Sequence, residues 1–201
     1  MTQEISNFGD HANATMQSKV NVPEGMGIEG YYHVVCRDKD GNIKWEEEFP
    51  NLVVAVGKQL MLDTLLSGSS YTTVGPYLGL ISGSGSTFAA TDTMASHVGW
   101  TEFTAYTVGG SAVRGTASFT SATSSGTTPS NVTTKTAAAI TYTITGGGGT
   151  VGGCFLVTGS GASSTQGNTS GTLYSAGNFA TAKITTAGDT VSVTYSTTAT
   201  S

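Results

Sequence analysis

The clearest regularity along the chain has a period of two. Ile140, Tyr142 and Ile144 alternate with Thr141, Thr143 and Thr145, and Val191, Val193 and Tyr195 alternate with Ser192 and Thr194. Successive side chains of a strand point to opposite faces, so each stretch predicts one buried and one wetted face, the habit of antiparallel sheets. Shorter apolar or β-branched runs separated by Gly, Ser and Thr predict further strands at 77–81, 100–108, 112–119, 133–145, 153–158, 173–179, 182–185 and 190–195. Upstream, 31–37 and 43–49 read as a hairpin whose turn, Asp38-Lys-Asp-Gly-Asn42, places Gly41 where a positive φ is needed.

One segment has a different period. Between Lys58 and Leu66, Met61, Leu62, Leu65 and Leu66 recur at three- and four-residue steps, while Lys58, Gln59 and Asp63 fall on the other side. Ser67-Gly68 then ends the helix. A helix this short does not stand alone in water. Its apolar stripe is predicted to lie against the sheet, plugging an open end of the core.

Residues 1–28 hold neither period. Ile5, Phe8, Met16, Val20 and Val22 are scattered among polar residues, with Pro23 and glycines at 25 and 27. The segment reads as an extended arm that orders only against something else, and those five apolar residues are its candidate partner-binding positions. The expected organisation is an arm, 1–28, followed by an all-β domain, 29–201, built as an antiparallel β-sandwich of jelly-roll or immunoglobulin-like type with one short helix.

Composition narrows the function. Ser and Thr number 58, Gly 28, and charged residues make up 10% of the 201, so hydroxyls and backbone must cover the surface. Soluble domains average about a quarter charged. Thirteen of the charged residues lie in the first 50 positions and eight in the rest. A net charge of −5 without a basic cluster excludes a surface that tracks nucleic acid. No apolar run approaches the roughly 18 residues of a membrane span, and the N-terminus lacks the basic and apolar regions of a secretory signal. Cys36 and Cys154 have no metal-ligand spacing and read as buried free thiols.

Candidate chemistry is thin. Asp92-Thr-Met-Ala-Ser96-His97-Val-Gly-Trp100 holds the residue types of a hydrolase triad, but such triads converge from separate elements, and no GxSxG elbow precedes Ser96. The structural reading is a single turn capped by Asp92 or Thr91 and running to Ala95, with Met94 inward and Gly99 leading into a strand that opens at Trp100. The loop 82–99 is a candidate contact surface by its length. The DKDGN turn resembles part of a calcium loop, but position 49, where a bidentate acid is required, is Phe. Glu46 and Glu48 share one strand face with Glu47 opposite, which suits a solvated edge better than a glycosidase pair. Gly146–Gly153 lacks the Lys of a phosphate loop and reads as a mobile hairpin tip. The three histidines, at 11, 33 and 97, are dispersed. No catalytic residue, metal site or cofactor is expected.

Taken together, Asn51-Leu-Val-Val-Ala-Val-Gly-Lys-Gln-Leu-Met-Leu-Asp63, Tyr77-Leu-Gly-Leu-Ile81, Asp92–Glu102, Gly171–Gly177 and Gly188-Asp-Thr-Val191 resemble a family of tailed-bacteriophage virion proteins. The likeness spans about residues 29–195 and leaves the arm outside. It implies a non-enzymatic structural protein, a capsid cement or decoration protein assembled in the host cytoplasm and held on the virion's outer surface. The expected partners are the major capsid protein and other copies of itself, as a homo-oligomer, with no nucleic acid and no membrane. The competing expectation is a tail-fibre or host-recognition module binding cell-surface glycans, on which Tyr71, Phe88 and Trp100 could stack.

Overall fold

A computed structural model describes residues 27–66, 74–83, 86–120, 123–125 and 132–200. Two antiparallel sheets pack face to face as a β-sandwich. The first is built from β1 (Gly27–Arg37), β2 (Ile43–Pro50), β6 (Tyr106–Thr107), β8 (Thr123–Ser125), β9 (Val132–Thr136), β10 (Ile140–Ile144) and β13 (Thr190–Thr200). Its order is β2-β1-β13-β10-β6, with β9 also on β13 and β8 on β9. The second takes β3 (Leu52–Val53), β4 (Tyr77–Ser82), β5 (Glu102–Phe103), β7 (Gly115–Thr116), β11 (Gly149–Thr158) and β12 (Thr172–Thr185), in the order β3-β12-β11-β4-β5 with β7 on β4.

The alternation seen in the sequence does what it predicts. Tyr142 and Ile144 of β10 and Val191, Val193 and Tyr195 of β13 are buried, while Thr141 and Thr143 face solvent. They meet Tyr32, Val34 and Cys36 of β1 and, from the opposite sheet, Leu78, Leu80, Cys154 and Leu156. Each such side chain contributes about 1.5–3 kcal/mol on burial. Two tyrosines cross the core with their hydroxyls hydrogen-bonded: the Tyr142 hydroxyl donates to the Leu78 carbonyl at 2.8 Å, and Tyr32 pairs with Ser175 Oγ at 2.9 Å.

The second sheet is buried on both faces. A separate cluster of Val54, Ile81, Met94, Trp100, Phe155, Val157 and Leu173 lies on its far side, beneath the loop 86–100 and the start of α1 (Ala55–Leu66). Hence β11 has no wetted face, and its residues Val151–Thr158 are buried in an unbroken run.

Several elements differ from expectation. β1 begins at Gly27, two residues inside the expected arm, because Gly27 and Ile28 pair with Thr200 and Ala199. The segment 133–145 is two strands: β9 lies on Ser196–Ala199 and β10 on Thr190–Val193, both on one edge of β13, with a jog at Ala137, whose N–H donates to Tyr195 O. The segment 100–108 splits into β5 and β6, which join opposite sheets. The glycines at 149–153 are strand, not a mobile tip. A Cβ on Gly152 would lie 2.2 Å from Gly83 O and one on Gly153 2.0 Å from Gly177 O, so glycine admits the neighbouring backbones at the bulge between Val151 and Gly153.

The helix turns the expected way round only in part. Gly57 is its buried residue, seated where a Cβ would come 2.5 Å from Tyr174 O, and Met61 is half-buried. Leu62, Leu65 and Leu66, expected against the sheet, face outward at 49, 73 and 79% exposure. The close seat at Gly57 fixes the helix's rotation and leaves the leucines on the open side.

Candidate functional site

The loop carrying Asp92, Ser96 and His97 is built inward from its backbone. Asp92 is buried and its carboxylate accepts the Ala89 N–H at 3.1 Å. Thr93 and Ser96 exchange backbone hydrogen bonds at 2.9 and 3.2 Å, a tight bridged turn in place of the helical turn expected through Ala95. Met94 between them is buried, as predicted. His97 Nδ1–H donates to the Trp100 carbonyl at 3.1 Å, and its ring stacks on the indole with centroids 3.8 Å apart. Each of Asp92 and His97 is thus committed to a backbone group, and no hydrogen bond links either to Ser96. Gly99 serves close approach: its Cβ would stand 2.1 Å from Thr87 O. Trp100 is buried ahead of the strand, which opens at Glu102.

Trp100 lies between His97 and Phe155, whose ring centroid is 5.1 Å away, and Phe88 meets it edge-on at 6.3 Å. The indole therefore has no open face for a sugar. Tyr71 lies outside the described residues, as do Ile5, Phe8, Met16, Val20 and Val22 of the arm.

The other acidic and cysteine motifs resolve into structural roles. In the DKDGN turn, Asp38 Oδ1 accepts the N–H groups of Asp40 and Asn42, both at 2.9 Å, and the Asn42 side chain bonds the other oxygen. The Asn42 side-chain and backbone bonds hold the Asp38 carboxyl below its usual range. Glu46 and Glu48 are exposed on β2, Glu46 bonding His33 at 2.8 Å, while Glu47 points inward to Lys183 at 2.7 Å. Glu47 also accepts the Ala180 N–H at 2.6 Å, closing the margin of the sandwich between β2 and β12. Cys36 and Cys154 are buried free thiols; burial pushes the Cys36 thiol up to about 11 and Cys154 further. Among the described residues no three His, Cys, Asp or Glu side chains cluster as a metal site.

One buried ionic centre escaped sequence reasoning. Arg114 and Glu102, 1 and 8% exposed at their side chains, form a bidentate pair. Arg114 also donates to the carbonyls of Ser163 at 3.1 Å and Asn168 at 2.7 Å and lies over Phe155, while Glu102 accepts the Gly167 N–H at 2.7 Å. These bonds tie the 159–171 loop to β5 and the start of β7. Two lone charges in a charge-poor stretch were the signal: Glu102 and Arg114 are flanked by apolar and hydroxyl residues only.

What remains is an apolar surface at the α1 end. Gly27, Ile28 and Glu29 of β1 face Lys58, Met61, Leu62 and Leu65 of α1 across a groove of about 380 Å³. Met61 also borders a second, apolar recess of about 250 Å³ lined by Phe119, Leu156, Tyr174 and Tyr195. The groove and the three exposed leucines gather apolar surface at one end of the described molecule. No helix among the described residues is long and apolar enough to cross a membrane. No family model, curated protein or solved structure matches the chain.

Proposed function

We propose that this chain is a non-enzymatic structural protein of a tailed-bacteriophage virion, a capsid cement or decoration protein that binds the major capsid lattice from outside. The observation that carries the reading is the apolar surface of α1, with Leu62, Leu65 and Leu66 turned to solvent beside a groove. Leaving three leucines exposed is costly unless another surface covers them. The resemblance to phage virion proteins supports the same assignment.

The rest of the molecule suits the role. The sandwich is a rigid body, and Asp92, Glu102, Arg114, Glu47 and Asp189 are each spent on internal bonds. An acidic chain sits better on the outer shell than against packaged DNA. Many copies on one lattice need only modest affinity each.

Counting copies in purified particles tests the reading. Copy numbers comparable with the shell subunits are expected. A single ring's worth would place the protein at the neck or tail, and labelling of whole bacteria by the isolated protein would favour the glycan-binding alternative.

A further inference from the structure

We draw no further inference here: the strongest candidate, the apolar recess behind Met61 between α1 and the open end of the sandwich, lined by Phe119, Leu156, Tyr174 and Tyr195, carries nothing because nothing in the structure shows what covers it.

Discussion

Arg114 Nε and Nη2 lie 2.9 and 2.7 Å from the two carboxylate oxygens of Glu102, in a chain of which charged residues make up only 10%. Removing one partner strands the other charge, at a cost of about 3–5 kcal/mol. Glu102→Gln and Arg114→Met should each lower the unfolding free energy from urea titration by that much, and the double variant by clearly less than the sum. Additive losses would show that the two act separately. Arg114→Lys should not rescue, because an ammonium cannot fork to a carboxylate and two carbonyls at once.

Asp189 gives the fold an acid-sensitive stitch. Burial raises its pKa, but bonds from Lys44 at 2.5 Å and from the Thr186 N–H at 2.8 Å outweigh burial, and the net shift is downward. A depressed carboxylate stabilises the fold fully above its unfolded value of about 3.9, and that contribution fades as pH falls through the folded value. Asp189→Asn should therefore be less stable than the parent at neutral pH, with the gap closing below pH about 4. Urea titrations across that range would show it; a gap constant down to acid would refute the assignment.

Two glycine substitutions separate crowding from backbone strain. Gly153→Ala drives a methyl into the Gly177 carbonyl and should cost about 1–3 kcal/mol or more. Gly147, at φ +93°, has open space around it, so its alanine variant carries only the strain of a left-handed residue, about 1–2 kcal/mol. Thermal unfolding of both should rank Gly153→Ala as the more damaging.

In the 92–100 loop the order of damage should follow burial, not catalytic type. Met94→Ala should cost about 2–5 kcal/mol as a core deletion. His97→Ala loses a ring stack, about 0.5–1.5 kcal/mol. Ser96→Ala should stay within about 0.5 kcal/mol, as an exposed position does. A large loss at Ser96 with Met94 unaffected would contradict the packing described.

Leu65→Gln with Leu66→Gln should leave stability within about 0.5 kcal/mol, since both side chains are already in water. Attachment to particles should fall sharply. Unchanged occupancy in purified virions would separate the α1 surface from assembly.

The strands were legible because a half-buried strand writes its two faces into alternate residues, as at Ile140–Ile144. Where a sheet is covered twice the alternation disappears: Val151–Thr158 is buried throughout, and its leading glycines pass for a loose tip. The helix shows a second limit. Its period announced an apolar stripe, but the rotation was set by Gly57, a residue with no side chain to enter the pattern, so the stripe and the sheet-facing side do not coincide. The Glu102–Arg114 centre was hidden because nothing in local spacing states which two lone charges, twelve residues apart, will meet. The arm's five apolar residues remain a sequence proposal.

β1 and β13 pair along their full lengths, Gly27 with Thr200 through Arg37 with Thr190. Strands from opposite ends of the chain thus form the middle of one sheet, and closing that sheet means bringing nearly the whole polypeptide together before the reward arrives. Pairings so distant in sequence slow folding, into the millisecond-to-second range for sheets of this kind. Where the contacts form late, stabilising them slows escape more than it speeds arrival. The sandwich is then suited to persistence, with the same pairing that delays its formation holding it shut once formed.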